Sequence, residues 1–288
     1  SNLSTITVDT LIDENDGNLS PGDISLREAL AAIEEGGLIT FDASLANQNA
    51  GAGRGVIGLS LGTLSIDKSV TINGLGAEAL EISGQDQFGV FSVDDGNEAT
   101  VSNVEIKNIT VSQGAESDTS GEEEAAGGGI FNRENLSVLN SHIISNSGGI
   151  TGIGNDSPET SLLIQDSIIS GNAVAGIQWS DGELIEIEYT LIANNGGDGV
   201  SNIGDISVKN SRILNNLGFG VTNSFVAKNS ISIEDSIISG NSSRGVFGFS
   251  EYANQITIVS STISDNDLSG NSYGTSIVSS SFRGATEN

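Results

Sequence analysis

Four charged residues in the second half of the chain have the types that a polysaccharide lyase would need. Such an enzyme requires an arginine or lysine base close to carboxylates that can bind calcium. The candidates are the base Arg212 and the carboxylates Asp166, Glu188 and Asp235. Charges of this kind are also expected along any solvated strand edge. The set alone therefore does not predict an enzyme.

Other catalytic arrangements are missing from the sequence. The paired carboxylates of glycosidases would normally be supported by histidine and arginine, and the chain has a single histidine, His142. In the repeats described below, the equivalent positions carry aliphatic residues, arginine or threonine, which is typical of an incidental surface residue. No serine lies in a G-x-S-x-G turn with acid and histidine partners. We therefore expect a non-catalytic role.

An aspartate-rich loop near the N-terminus is the candidate metal site. It contains Asp9, Asp13, Asp16 and Asp23, and carboxylates are ligands that Ca²⁺ prefers. The segment IDENDGN does not reproduce the ligand order of an EF-hand, and the single GGDG at 196–199 is not an RTX array. We expect no required cofactor and, at these four aspartates, a calcium site of low affinity.

Several aromatic residues fall near the third strand of the repeats, or in the loop after it. They are Trp179, Phe247, Phe249 and Tyr252. Packing inside the core or at its ends is slightly favoured for these side chains, and exposed rings at the same positions would stack on sugars. The four are the candidate ligand-binding residues.

Composition excludes several classes of partner. Ten basic residues against 38 acidic ones give a formal charge of −28, which opposes binding to nucleic acids and to anionic membranes. There is no cysteine, so disulfides and thiolate metal sites are excluded. No apolar run is long enough to insert into a membrane, and the start at Ser1-Asn2 suggests a piece of a larger protein.

An internal repeat defines the elements that must position these residues. Six segments align without gaps and begin 26, 23, 21, 25 and 25 residues apart, at positions 136, 162, 185, 206, 231 and 256. Each opens with two apolar residues at alternate positions, and a second aliphatic column follows five residues later. A glycine with a β-branched residue then starts a third strand in five units. Three short strands per repeat predict an all-β fold, a single-stranded right-handed parallel β-helix of about nine or ten coils.

The last position of each aligned segment is asparagine. Stacked amides at a turn can hydrogen-bond to one another and to the backbone, so the column predicts a structural ladder rather than a ligand site. The ladder residues are Asn146, Asn172, Asn195, Asn216, Asn241 and Asn266.

The repeat also suggests how the chain is divided. Residues 1–63 are expected to form a cap with the first strands, including a short amphipathic helix over 26–34 that begins with a capping box at Ser25 and Glu28. Residues 64–278 are expected to form the β-helix, and 279–288 a polar tail. The acidic segment 117–126 interrupts one coil as an insert.

The N-terminal segment ITVDTLIDENDGNLSPGDISLREALAAI (6–33) resembles the motif of CSLREA-type domains, which precede β-helical repeats in bacterial and cyanobacterial surface or exported proteins. SLREA (25–29) matches, whereas Ile24 stands where that family commonly has cysteine. The resemblance implies an exported β-helix and does not imply one activity.

The leading functional hypothesis is a non-catalytic, extracellular or cell-surface bacterial β-helix that serves adhesion, spacing or glycan binding. Its expected partner is a glycan or another cell-surface component, and it is expected to be a monomer within a larger protein. The alternative is a polysaccharide lyase, or another carbohydrate-active enzyme, with a cleft along one face of the β-helix.

Overall fold

The computed structural model describes residues 4–48, 53–115, 128–153, 160–180, 184–224, 229–249, 255–266, 275–278 and 281–283. Within these ranges the chain winds through three parallel sheets, here named A, B and C, and each strand pairs with its counterpart one coil away. The parallel β-helix predicted from the repeat is confirmed.

Over the described residues, sheet A contains eleven strands. They are Thr5–Val8, Gly37–Phe41, Val70–Asn73, Asn103–Lys107, Asn135–Leu139, Ser161–Gln165, Leu184–Glu188, Asp205–Lys209, Ser230–Glu234, Gln255–Val259 and Thr275–Val278. Sheet B has ten strands in the same part of the chain. They are Gly55–Gly58, Leu80–Ser83, Thr110–Ser112, His142–Ile144, Ile168–Ser170, Leu191–Ala193, Arg212–Leu214, Ile237–Ser239, Thr262–Ser264 and Ser281–Arg283.

Sheet C has eight strands, again counting only what the structure describes. They are Leu64–Ile66, Phe91–Val93, Ile130–Asn132, Ile150–Ile153, Ile177–Ser180, Val200–Asn202, Val221–Ser224 and Val246–Phe249. From Leu64 to Ser264 the chain visits the sheets in the order C, A, B. Because the strands pair in register, an outward residue on one strand has outward neighbours on the paired strands of the adjacent coils.

The core runs along the inside of the three sheets. Side chains alternate inward and outward along each strand, and the inward positions are aliphatic because β-branched residues pack well on a pleated surface. The aliphatic column of sheet B is fully buried at Ile143, Ile169, Ile192, Ile213 and Ile238. Stacking thus gives each strand inside a sheet a paired strand on both sides.

The N-terminal helix spans Leu26–Ala32 and has the predicted capping box between Ser25 and Glu28. It ends two residues before the predicted limit at 34, because Ile33 has an extended backbone (ψ 142°). Leu26, Ala29 and Leu30 are buried against the first coils. A short 3-10 helix follows at Ala43–Asn47.

The sheets extend into both terminal ranges of the predicted division, and the first of these was predicted to hold the first strands. Strands Thr5–Val8 and Gly37–Phe41 pair with each other in sheet A, so stacking begins well before Leu64. Ser281–Arg283, inside the range predicted as a tail, pairs with Thr262–Ser264. In both places an added strand satisfies backbone groups that a sheet edge would leave unpaired.

Among the described residues, the helices are all too short or too polar to cross a bilayer.

Candidate functional site

The residues predicted for lyase chemistry are spread over four successive coils. Asp166 and Asp235 occupy the corner between sheets A and B, where their positive φ angles of 50° and 48° make the turn. Glu188 ends a strand of sheet A, and Arg212 faces outward from sheet B. Within the described ranges, the ion pairs of the structure do not include Arg212. The four residues remain candidates on neighbouring coils of sheets A and B.

Each of the four N-terminal aspartates accepts hydrogen bonds from the protein. Asp9 accepts from the backbone N–H groups of Gly22 and Ile24 at 2.6 and 2.8 Å. Asp16 accepts from the N–H of Asn18 at 2.8 Å, and Asp23 accepts from the Asn18 side-chain amide. These carboxylates hold the loop in shape.

Asp13 has the most complete set of partners. Its two oxygens accept from Nε and Nη2 of Arg27 at 2.8 and 3.1 Å, and Oδ2 accepts from the N–H groups of Ser60 and Leu61. Burial alone would raise the pKa of Asp13, but Arg27 and the two amides outweigh it, so the pKa is lowered. Arg27 also donates to the carbonyl oxygens of Gly62 and Thr63. The arginine of SLREA thus fastens the cap to the first coil.

The asparagine column forms a continuous hydrogen-bonded ladder at the turn between sheets B and C. In each step, the backbone N–H and the Nδ2 of one asparagine both donate to Oδ1 of the asparagine in the next coil, at 2.9 to 3.1 Å. Nδ2 also donates to a backbone carbonyl of the preceding coil, for example Ile169 O from Asn195. All six side chains are buried.

Trp179, predicted as a sugar-binding residue, instead lies inside the β-helix with 2% of its surface exposed. It occupies an inward position of sheet C, where its ring fits beside Gly152 in the adjacent strand. A ring in this position cannot stack on an external ligand, so Trp179 leaves the candidate set. Phe249 is the last residue of its strand, and its side chain is outside the described part of the structure. Tyr252 and the segment 117–126 lie outside the described residues.

Phe247 points outward from sheet C and belongs to a row of side chains that the register brings into line. We name this row the C face; its members, one per coil, are Phe131, Thr151, Gln178, Ser201, Thr222 and Phe247. The row has hydroxyl and amide groups in the middle, a phenylalanine at each end and no carboxylate. By contrast, the outward side of sheet A carries Glu105, Glu186 and Glu234.

An arginine accompanies the phenylalanine at each end of the C face. The guanidinium of Arg244 lies over the Phe247 ring, 4.4 Å from its centroid, and that of Arg133 lies 5.7 Å from the centroid of Phe131. Such contacts are cation–π interactions. Phe247 also stacks on Phe219 of the preceding coil, with ring centroids 5.2 Å apart.

A carboxylate adjoins this aromatic stack. Asp198 occupies the turn one coil before Phe219 and accepts from the Phe219 backbone N–H at 2.8 Å. Burial raises the pKa of Asp198 more than this hydrogen bond lowers it. The side chains of Asp198, Phe219 and Arg244 therefore follow one another along the same corner of the β-helix.

Three carboxylates lie at the opposite end of the C face. Asp94, Asp95 and Glu134 each place an oxygen within 4.8 Å of the others. Glu134, 1% exposed, accepts from the N–H groups of Asp95 and Ser102 at 3.0 and 2.7 Å. Burial and the nearby aspartates raise the pKa of Glu134, and together they outweigh the two hydrogen bonds, which lower it. Oxygen ligands so close together suit a hard cation such as Ca²⁺.

Phe247 was among the candidates from the sequence, whereas the residues at the Phe131 end of the C face were missed. Phe131 and Glu134 belong to the coil that carries the acidic insert, and Asp94 and Asp95 lie in a longer connection, so simple repeat spacing does not align them. Aligning the third strands would have done so, because Ile130–Asn132 pairs in register with Phe91–Val93.

No family model and no curated protein matches this chain. Solved structures do. The chain superposes on a pectate lyase with a TM-score of 0.61 at 16% identity, covering 99% of this chain and 79% of the lyase. For the Dettilon tailspike protein the TM-score is 0.52 at 11% identity, with 97% and 59% covered. For the A-module of a mannuronan C-5 epimerase from Azotobacter vinelandii it is 0.51 at 17% identity, with 87% and 75% covered. At these identities the likeness identifies the fold alone, and that fold is the right-handed parallel β-helix.

Proposed function

We propose that this chain is a non-catalytic glycan-binding β-helix and that the C face is its binding surface. The observation that carries the proposal is the row itself, in which the accessible polar side chains of Thr151, Gln178 and Ser201 lie between two phenylalanines that each contact an arginine. The guanidinium groups held against the two rings can bind the carboxylates of acidic sugars, and the polar groups between them can hydrogen-bond to sugar hydroxyls. The absence of carboxylates along the row removes repulsion that the rest of this acidic surface would impose on acidic sugars.

The superposed structures add context to this proposal. By their names, a pectate lyase and a mannuronan epimerase act on polysaccharides. The proposed setting is the extracellular space or the cell surface of a bacterium, as the SLREA segment suggested. There the chain would be one monomeric part of a larger protein and would serve adhesion or spacing through its glycan.

Binding is tested on an array of immobilised neutral and acidic polysaccharides, with the Phe247→Ala variant in parallel. We expect retention on at least one glycan and loss of most of it in the variant. The matched control is Tyr189→Asn, which removes an exposed ring at a left-handed corner (φ 50°) away from sheet C, where asparagine is tolerated. The proposal is contradicted if wild type and both variants are retained equally, or if none of the three proteins is retained on any glycan.

A carbohydrate-active enzyme, such as a polysaccharide lyase, is the second candidate. The trio Asp94, Asp95 and Glu134 favours it, because Arg133 Nε lies 3.7 Å from Asp94 Oδ2 and so places a cationic group beside carboxylates fit for Ca²⁺. Incubation with acidic polysaccharides, with and without calcium, tests it. A lyase would release unsaturated sugars in wild type but not in Glu134→Gln. The earlier candidates Arg212, Asp166, Asp235 and Glu188 are tested in the same assay, each as an alanine variant.

A further inference from the structure

Resting on the proposed glycan binding, we infer that the C face takes an internal stretch of a linear polysaccharide that lies parallel to the axis of the β-helix and contacts both arginine–phenylalanine pairs. These pairs are Phe131 with Arg133 and Phe247 with Arg244. The inference thus names the class of ligand as long, linear chains rather than monosaccharides or chain ends.

The first step is the distance between the two pairs. Phe131 and Phe247 stand at equivalent outward positions of strands separated by five strand spacings in sheet C. At about 4.8 Å for each spacing, the two rings lie about 24 Å apart along the axis. A disaccharide is too short to reach both of them, whereas an oligosaccharide of several residues is long enough.

The second step is the repeat along the row. A β-strand spacing is close to the length of a pyranose residue in an extended chain, so each coil meets roughly one sugar ring. Thr151, Gln178 and Ser201 present hydroxyl and amide groups at that interval, whereas Thr222 in the same row is buried. Such groups both donate and accept hydrogen bonds, as sugar hydroxyls do. The row therefore matches a chain that runs along the axis rather than across the coils.

The third step is the shape of the row beyond Phe131. The outward column of sheet C continues toward the N-terminus with Ser92 and then Ser65, both small. Neither residue would stop a polysaccharide that extends past the aromatic pair. A site that recognises chain ends needs a wall at that point. The described residues of this column form no such wall, which favours an internal stretch of the polymer.

The fourth step is where binding energy is concentrated. Each arginine–phenylalanine pair offers a guanidinium group held against a ring, whereas the side chains between the pairs are polar and carry no charge. Once a chain is held at one pair, contact at the other is intramolecular and benefits from a high effective concentration. Affinity should therefore rise steeply when the ligand becomes long enough to span both pairs.

Isothermal titration calorimetry with length series tests the inference, using cello-, chito- and xylo-oligosaccharides and oligogalacturonates from disaccharide to octasaccharide. For the series that binds, we expect affinity to rise by at least about tenfold with length and then to level off. Phe131→Ala and Phe247→Ala should each lower octasaccharide affinity by about tenfold and change disaccharide affinity much less. Gln178→Ala, an exposed change between the pairs, should weaken only the longer ligands.

The controls separate this inference from the proposed function. Melting temperatures show whether each variant is folded, and Tyr189→Asn should bind every ligand as wild type does. If the disaccharide binds as tightly as the octasaccharide, or if only one of the two phenylalanines matters, the lengthwise mode is overturned while glycan binding stands. If no series binds at all, both proposals fail together.

Discussion

The carboxylate of Asp13 is held by the guanidinium of Arg27 through two hydrogen bonds of 2.8 and 3.1 Å, with 1% of the Asp13 side chain exposed. The two residues are 14 positions apart, and Arg27 in turn reaches the carbonyl groups of the first turn of the β-helix at Gly62 and Thr63. One ion pair therefore connects the loop, the capping helix and the first coil.

Loss of this pair should weaken the whole fold. Asp13→Asn leaves the Arg27 charge partly buried without its partner, and we expect the free energy of unfolding to fall by about 3 kcal/mol. Denaturant unfolding followed by circular dichroism measures the change. The matched control is Asp67→Asn, because Asp67 is 66% exposed in its pair with Lys68, and such a pair contributes less than about 1 kcal/mol. Equal effects of the two variants would show that Asp13 is not a fastening point.

The asparagine ladder should be most sensitive in its middle. Asn195→Ala removes the oxygen that accepts from both the N–H and Nδ2 of Asn172, and it removes the donor to Asn216. Several buried polar groups then lose their partners, so we expect a loss of about 3 kcal/mol or more in thermal or denaturant unfolding. Asn194→Gly is the control, since Asn194 is exposed and has a φ of 56° that glycine adopts freely. A similar loss in both variants would count against the ladder as a stabilising element.

Gly220 lies so close to the next coil that even a methyl side chain would clash with it. A Cβ at Gly220 would lie 2.4 Å from the carbonyl oxygen of Gly245 and 2.5 Å from Cγ2 of Ile238. Gly220→Ala should therefore cost about 2–3 kcal/mol, because the backbone of two coils must move apart. Gly36→Ala provides the comparison: its φ is +73° and nothing lies within 4 Å of the added carbon, so only backbone strain of about 1 kcal/mol is expected. A smaller loss at Gly220 than at Gly36 would refute the steric explanation.

Asp198 should make stability depend on pH in the opposite direction from Asp13. Burial raises its folded pKa, so the protonated carboxyl is the form that the folded state favours. The stabilisation is fully present below the ordinary pKa of the unfolded chain and is lost as the pH rises through the folded pKa. Asp198→Asn keeps an acceptor for the Phe219 N–H without the charge. The variant should gain stability relative to wild type as the pH rises toward neutrality.

Unfolding measured at a series of pH values tests this difference, with Asn194→Gly as a neighbouring change that adds or removes no titrating group. The stability difference between Asp198→Asn and wild type should increase with pH and then level off. A difference that stays constant, or that decreases with pH, would mean that the Asp198 carboxylate is not penalised in the folded protein.

The repeat predicted those features that recur in every coil. Ile143 and Asn146 have equivalents at fixed offsets, so their inward positions follow from alternation and from stacking. Trp179 was misplaced because its column in sheet C mixes Gly152, Asn202 and Asn223, and no shared residue type marks that column as inward. A ring fits there only because the adjacent strand has a glycine, which is a property of two coils together.

The acidic trio shows the same limit at longer range. Glu134 lies 39 residues from Asp95, and coils of unequal length separate them. Their proximity depends on the register between two strands of sheet C rather than on local spacing. Likewise, the strands Thr5–Val8 and Gly37–Phe41 join sheet A although the helix and loop between them follow no repeat.

The asparagine ladder also has a direction. In each of its steps the amide donates toward the C-terminal neighbour and accepts from the N-terminal one, from Asn146 to Asn266. Amide dipoles aligned in this way add up rather than cancel, as peptide dipoles do in a helix. Over the described residues the ladder is therefore electrically polar along its length, with its partial positive side toward Asn266. At the opposite side, the oxygen of Asn146 accepts from the backbone N–H of Gly114, so the coil on that side has to present a donor.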